Sequence, residues 1–231
     1  MRTTHIALLL SRINNILQKH FMLSFIFLLV STATFGKDKK ALPYVSLTLK
    51  DQMVVEGYLR SSLTDRDTLV KISPEMKGKS SKYPLSQIEK LTIRSEMNDS
   101  TEMIWIPMCV NNSISGRKGH ITDTPTMLLL TYKGKKVNGY MGMKWVLVSP
   151  LTGLWEVIPH FYYQLPDTNY GNCFYMARRV IRAQRRKSLI KEFSDFPALV
   201  EMLENETIKI TDTEEDPMII LKELDKILET E

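Results

Sequence analysis

Residues 126–141 read TMLLLTYKGKKVNGYM and indicate two β-strands joined by a tight turn. Residues 126–132 are rich in strand-forming side chains, Lys133-Gly134-Lys135 supplies the turn, and residues 136–141 return as the second strand. The further strands of this region are predicted at residues 145–148, 155–165 and 173–181. No helical crossover separates these strands, so the simplest topology is an antiparallel β-meander.

The last quarter of the chain changes to helical periodicity. Helices are predicted over residues 184–193, 197–205 and 218–228, the second of them beginning at Pro197 and the third after Asp216-Pro217. The acidic run at residues 211–216 is predicted to be a solvated linker between helices. An apolar stripe marks the last helix and consists of Ile220, Leu221, Leu224, Ile227 and Leu228. Strands first and helices last predict an α+β fold for residues 126–231, with two or three helices packed against the sheet.

The region before the meander also has β character. Residues 44–49 alternate with period two, a polar turn comes next, and residues 53–59 return as a second strand. Several short strands with tight turns predict a small β-barrel or rolled sheet over residues 37–95. Residues 96–125 are rich in polar and turn-forming residues and are predicted to be an irregular connection, although the apolar island at 103–110 is compatible with a buried strand.

Two runs in the first region carry a resemblance. Residues 47–59 read LTLKDQMVVEGYL and residues 82–93 read KYPLSQIEKLTI, which resembles the small SH3-like or Sm-like barrels. Gln52 departs from the pattern, because a turn glycine is common at that position. The resemblance implies an architecture for residues 44–94 and no activity, since such barrels support many unrelated functions.

The N-terminus has the layout of an export signal. The apolar run FMLSFIFLLV at residues 21–30 comes after Lys19 and precedes small residues and the charged KDKK sequence at residues 37–40. Cleavage is expected near Gly36 or Ala33. The segment is shorter than the about 20 residues that cross a bilayer, although an uncleaved anchor, a buried core helix and a start at Met22 stay open.

More than half of the net positive charge of the chain comes from this segment. The whole sequence has 31 basic and 26 acidic residues, but residues 1–36 contain three basic residues and no acidic residue. The remainder therefore has 28 basic and 26 acidic residues and a formal charge of +2. This near-neutral balance argues against a nucleic-acid partner, which needs a basic face on the folded domain.

The second region carries a further resemblance. The aromatic sequences at residues 161–163 and 174–175, with the F-x-D-F-P-x-L-V pattern at residues 193–200, resemble exported envelope proteins of Bacteroidales-type bacteria. This resemblance implies a periplasmic or cell-surface location and no particular activity.

Thiol chemistry is the first candidate for a site. Cys109 with His120, or Cys173 with His160, supplies the residue types of a thiol-dependent hydrolase. Both cysteines lie in apolar runs, which is the setting of inert thiols. In an oxidising compartment a disulfide between Cys109 and Cys173 and two buried free thiols are both compatible with the sequence. Neither a metal site nor a cofactor motif is predicted, because the cysteines and histidines have no ligand spacing.

Two further groups are candidates for binding. A basic cluster from Arg178 to Lys191 would place Arg178, Arg182, Arg185 and Arg186 on one face of a helix, where they would bind anionic groups at a membrane surface or an acidic partner. The alternative is a solvated junction between a strand and a helix. The aromatic residues of this region are compatible with a sugar- or peptide-binding platform and with core filling against the helices; they are Trp145, Trp155, Phe161, Tyr162, Tyr163, Tyr170, Phe174 and Tyr175. The adjacent Tyr162 and Tyr163 point to opposite faces of a strand, so an exposed tyrosine there is the better candidate for binding.

The sequence therefore predicts an exported, non-enzymatic binding or assembly protein of the bacterial cell envelope. Its partner would be an envelope protein or a cell-surface component, with peripheral membrane contact as a further option. The thiol hydrolase and the arginine-based membrane-surface factor are the alternatives.

Overall fold

A computed structural model describes residues 42–94, 102–111, 119–149, 151–177 and 181–230. The predicted signal peptide at residues 1–36 and Arg178 lie outside these ranges and stay predictions. The described residues form strands first and helices last, in agreement with the predicted α+β order.

The first five strands form one half of a sheet. Their order in the sheet is β5-β1-β2-β3-β4, and a single 3-10 turn at Leu85–Gln87 separates β4 from β5. Alternation along the strands buries every second residue, so that Val45, Leu47 and Leu91 are almost fully enclosed. The strand bounds are β1 Tyr44–Leu49, β2 Val54–Leu59, β3 Leu69–Ser73, β4 Ser81–Pro84 and β5 Ile88–Arg94.

The turn between β1 and β2 explains why Gln52 is unusual. Its φ is 70°, which lies in the left-handed region that favours glycine. The Gln52 side chain partly compensates, because its Nε2 donates a hydrogen bond to Glu89 Oε2 at 3.0 Å. The residue that departs from the SH3-like pattern therefore adopts a backbone conformation typical of glycine.

The second five strands close on themselves. Each of β6 to β9 pairs antiparallel with the next strand, and β10 returns to pair parallel with β6, for example Tyr170 opposite Cys109. We call this closed set the C-terminal barrel. Its bounds are β6 Glu102–Asn111, β7 Thr126–Lys133, β8 Asn138–Ser149, β9 Leu154–Gln164 and β10 Tyr170–Met176. Its interior residues are Met108, Val110, Leu128, Tyr140, Tyr162 and Cys173.

The sequence predictions for this region hold in part: the apolar island at residues 103–110 is the buried strand that the sequence allowed, and the predicted meander of β7 to β10 is antiparallel. The predicted irregular connection at residues 96–125 contains β6, a ten-residue strand that pairs with β5 through Leu91 and Trp105. The two halves therefore form one ten-stranded sheet. The meander is antiparallel from β6 to β10, but the β10–β6 pair makes the sheet mixed. Strand alternation fixes which face a side chain occupies and carries no information about which distant strand closes the barrel.

In the described part of the chain four helices come after the strands, and they pack on the side of β7, β8 and β10. Their bounds are α1 Arg182–Glu192, α2 Pro197–Glu204, α3 Ile210–Glu215 and α4 Met218–Thr230. The predicted stripe on α4 is confirmed, since Ile220, Leu221 and Leu224 are fully buried against the sheet. The predicted linker at residues 211–216 is wrong, because buried Ile210 and Thr213 anchor the short helix α3 there.

The turn between β7 and β8 is fastened to α4 by one carboxylate. Asp225 is 6% exposed and accepts hydrogen bonds from the Lys136 and Val137 amides at 2.6 and 3.0 Å. It also accepts from the Lys135 amide at 3.2 Å and from the Tyr132 hydroxyl at 2.9 Å. Burial alone would raise the pKa of Asp225, but these hydrogen bonds outweigh it and hold the pKa below its ordinary value.

Candidate functional site

The hairpin of β8 and β9 extends past its neighbours in the sheet. The last pairing of β7 with β8 is Leu129 opposite Met141, and β10 reaches β9 as far as Pro159. Beyond these points β8 and β9 continue to pair with each other as far as Ser149 opposite Leu154. We call residues 144–158 the arm.

The outer part of the arm is apolar and uncharged. Residues 145–155 read WVLVSPLTGLW and contain no charged side chain. Leu151 is 99% exposed at the tip, Leu154 is 50% exposed and Trp155 is 46% exposed. Leu147 lies opposite Trp155 and is also exposed. Single exposed apolar residues are ordinary, but a contiguous group of four on one protruding hairpin is typical of a contact surface.

The base of the arm is braced by the loop between β2 and β3. Thr64 forms a parallel bridge with Met143, and Asp65 Oδ1 accepts a hydrogen bond from the Trp145 amide at 3.0 Å. The guanidinium of Arg66 lies over two indole rings, 5.1 Å from the centroid of Trp145 and 4.6 Å from that of Trp155. Both tryptophans are therefore held in a defined position by cation–π contacts.

This bracing loop is itself ordered by a carboxylate. Asp67 Oδ2 accepts hydrogen bonds from the Thr64 amide, the Thr64 hydroxyl and the Ser62 hydroxyl at 2.8 to 2.9 Å. Leu63 is buried although its φ is 53°, a conformation that non-glycine residues adopt rarely. The side chains of Asp67 and Leu63 thus fix the loop that presents Arg66 to the arm.

The predicted tyrosine platform is wrong. Tyr162 and Tyr163 do point to opposite faces of β9, but both are buried, at 2% and 6% exposure. Tyr162 lies inside the C-terminal barrel, whereas Tyr163 packs against Phe174 and Phe193 on the helix side. Neither ring is accessible, because the helices cover one face of β9 and closure of the barrel encloses the other face.

Three of the predicted anion-binding arginines hold carboxylates of the same chain. Arg182 and Arg185 both bind Glu214 of α3, with closest N–O distances of 3.2 and 2.9 Å. Arg185 also lies over the Tyr175 ring at 4.7 Å, and Arg186 binds Glu206 at 2.7 Å. These arginines join α1 to the segment that contains α3, and the acidic run that was predicted to be a linker supplies the main partner.

The two thiols are free, so of the two alternatives that the sequence leaves open the structure has the free thiols and not the disulfide. Cys173 is inside the C-terminal barrel, whereas Cys109 alternates with buried Met108 and Val110 and faces the other side of β6. Burial raises the pKa of the Cys173 thiol to about 12, which keeps it protonated and poorly nucleophilic.

The histidines that were proposed as partners of the thiols contact other groups. His160 is buried, and its Nδ1 donates to the Ile158 carbonyl at 3.0 Å. Burial lowers the pKa of His160 and favours the neutral ring. His120 is exposed and lies 3.9 Å from Asp123. Among the described residues neither thiol is hydrogen-bonded to an imidazole, as the thiol hydrolase alternative requires.

In the part of the chain that the structure describes, no three His, Cys, Asp or Glu side chains come together as a metal site requires. No helix within those same ranges has the length and apolar character needed to cross a membrane. No family model, no curated protein and no solved structure matches the chain.

Sequence reasoning counted Trp145 and Trp155 among aromatic candidates but missed the arm as a surface. The available signal was a turn-containing run of eleven residues without a charge, since exposed turns are ordinarily polar. The exposure itself results from where β7 and β10 end, which the sequence does not specify.

Proposed function

We propose that this protein is an exported, non-enzymatic binding or assembly protein of the cell envelope, and that the arm is the surface by which it attaches to another envelope component. The observation that carries the proposal is the exposed apolar group of Leu147, Leu151, Leu154 and Trp155 at the end of a braced hairpin.

The chemistry of the arm favours attachment. Residues 145–155 include no ionisable side chain, so this surface offers no general acid or general base. It offers large apolar side chains, and Trp155 is oriented in advance by Arg66 at 4.6 Å. Aromatic anchors held in place before contact lose little entropy on binding, which is a property of interaction hot spots.

The same proposal includes the small SH3-like barrel predicted for residues 37–95. Its support is the strand order β5-β1-β2-β3-β4, the 3-10 turn at Leu85–Gln87 between the last two strands, and the positive φ of Gln52 at the expected glycine position. In this arrangement the first half of the sheet is a scaffold, and its loop between β2 and β3 supports the arm.

Fractionation of the producing cell tests the proposal. The native protein is expected in the envelope fraction, with an N-terminal residue close to position 37 after removal of the signal peptide. A Leu151→Asp/Leu154→Asp variant should shift from the envelope-bound to the soluble exported fraction, because two charges in the arm oppose apolar contact.

Met53→Asp is the matched control for this variant. Met53 is an exposed apolar residue, 57% accessible, next to the turn between β1 and β2. The same type of change there should leave the distribution unaltered. An intact chain in the cytosol, or an arm variant that stays bound to the envelope, would contradict the proposal.

A further inference from the structure

We propose that the component bound by the arm is the lipid bilayer surface, and that the tip of the arm inserts into one leaflet. This inference rests on the proposed function and names the partner of the same surface. It differs from the arginine-based membrane contact predicted from sequence, because it needs no cationic patch.

The arm presents apolar side chains on both of its faces. Leu147 and Trp155 are opposite each other and share one face, whereas Leu154 is the neighbour of Trp155 and points to the other face. Leu151 projects from the tip. A protein partner would have to enclose a convex hairpin from two sides, whereas a bilayer surrounds any segment that enters it.

The order of side chains along the arm matches the layers of a bilayer. Leu151 stands at the tip, and Leu154 is behind it. Leu147 and Trp155 come next at one level, and the Arg66 guanidinium covers the rings of Trp155 and Trp145. Bilayers place hydrocarbon, an aromatic-rich interface and charged headgroups in this same sequence from the centre outward. The apolar end therefore faces the acyl chains when the charged base is at headgroup level.

The apolar part of the arm also has a suitable length. Three residues of strand, from Leu147 opposite Trp155 to Ser149, span about 10 Å at about 3.3 Å per residue. Interfacial segments bury their apolar side about 5–10 Å deep, so the outer part of the arm is long enough for such insertion. It is too short to cross the hydrocarbon core of about 30 Å. The arm is therefore suited to shallow anchoring.

The charge of the arm gives the inference a distinctive signature. Lys144, Arg66 and Asp65 lie near the base, and Glu156 lies opposite Val146 on the strand that returns from the tip. The formal charges of these four residues cancel, and residues 145–155 carry none. Binding by apolar insertion should change by less than about two-fold between low and high salt, because only exposed charge attraction is screened. Neutral phosphatidylcholine vesicles should be bound nearly as well as vesicles with added phosphatidylglycerol.

Tryptophan fluorescence with vesicles provides the test. The protein purified from its native compartment is mixed with phosphatidylcholine vesicles that contain brominated acyl chains, and quenching of tryptophan emission is measured. The chain has three tryptophans, and Trp105 is buried in the core. Quenching should therefore fall strongly in a Trp155→Phe variant.

Vesicle affinity is measured for the same arm variants. Leu151→Asp/Leu154→Asp should lower it at least about ten-fold, since two charged side chains would enter the apolar region. Met53→Asp should leave it unchanged, and circular dichroism should give the same folded spectrum for all variants.

Each other outcome has a definite meaning. Absence of quenching, or binding that high salt abolishes and the arm variant does not affect, overturns the inference. The arm variant could be released from the envelope fraction while the unaltered protein does not bind lipid vesicles. In that case the partner is a protein, and the inference fails although the proposed function stands. A dimer that the arm variant abolishes, without vesicle binding, assigns the surface to a second copy and also overturns the inference.

Discussion

The two ends of β8 bear hairpin turns that are built in opposite ways. At one end the turn of residues 133–137 has the sequence KGKKV, is rich in lysine, and is tied into the protein by Asp225. At the other end the turn beyond Ser149 is apolar, and Leu151 there is 99% exposed.

Solubility alone would lead to the opposite arrangement, with the lysine-rich turn free and the apolar turn covered. A lysine-rich turn needs no tether to stay in water, and an apolar turn is ordinarily covered. The tether at the first turn positions α4 on the sheet, so its purpose is structural. The exposed second turn contributes little to the fold, which is the reason to assign it to contact with another component.

The largest effect is expected from Asp225→Ala. The change removes a buried carboxylate and leaves the Lys136 and Val137 amides without their partner, so the free energy of unfolding should fall by about 3 kcal/mol. Chemical denaturation of the variant and of the unaltered protein measures this difference in the free energy of unfolding. Asp167→Ala is the control, because Asp167 is exposed in the turn between β9 and β10 and should change stability by less than about 0.5 kcal/mol.

The same carboxylate predicts a pH dependence. The pKa of Asp225 is lower in the folded protein than in the unfolded chain, so its contribution is present above the unfolded pKa of about 4. That contribution is lost as the pH falls through the folded pKa. Denaturation curves at several acidic pH values should show a steeper loss of stability for the unaltered protein than for Asp225→Asn. Parallel curves would contradict this assignment.

Gly134→Ala should weaken the tethered turn by a smaller amount. A Cβ at this position would lie 2.5 Å from Asp225 Oδ2 and 2.5 Å from the Val137 carbonyl oxygen. Relief of that contact requires the turn or α4 to move, at an expected cost of about 2 kcal/mol. Thermal unfolding measures the loss. In the Asp225→Ala background the loss should be smaller, and equal losses in both backgrounds would mean that the carboxylate is not what Gly134 accommodates.

Arg66→Ala tests the brace at the base of the arm. Loss of two cation–π contacts should lower the free energy of unfolding by about 1 kcal/mol. The emission of Trp145 and Trp155 should also move to longer wavelength as the rings gain water. Lys71→Ala removes an exposed charge on β3 and should change neither quantity.

The smallest effect on stability is expected at the exposed tip. Leu151→Ser should change the free energy of unfolding by less than about 0.5 kcal/mol, since the side chain packs against little of the protein. Leu199→Ala, at a fully buried position on α2, should cost about 3 kcal/mol in the same experiment. A large loss at Leu151 would place the tip in the fold and remove the contrast between the turns.

Local patterns predicted the secondary structure where one face of an element is buried. The alternation at residues 44–49 predicted β1, and the α4 stripe was confirmed at Ile220, Leu221 and Leu224. These predictions succeed because burial on one side imposes a period on the sequence. The prediction for residues 211–216 failed because an acidic helix held by two buried residues has too weak a period to detect.

The candidate site could be predicted only in part. Trp145 and Trp155 were recognised as aromatic candidates, but Arg66 was not connected with them, because about 80 residues separate the loop from β8 in the chain. Asp225 was missed for the same reason, although a carboxylate within the apolar stripe of α4 was a usable signal. Contacts of this kind depend on strand pairing, which has no local sequence signature.

The sequence alone determined most of the strands and helices, that the strands precede the helices, and where the charged residues lie along the chain. The tertiary structure decided that β10 closes on β6, which buried both tyrosines and the Cys173 thiol, and that α3 supplies the carboxylate for Arg182 and Arg185. It also decided that β8 and β9 extend beyond β7 and β10, so that Leu151 is exposed to solvent. The physical reason is that periodicity records burial along one element, whereas exposure and ion pairing depend on which distant elements meet.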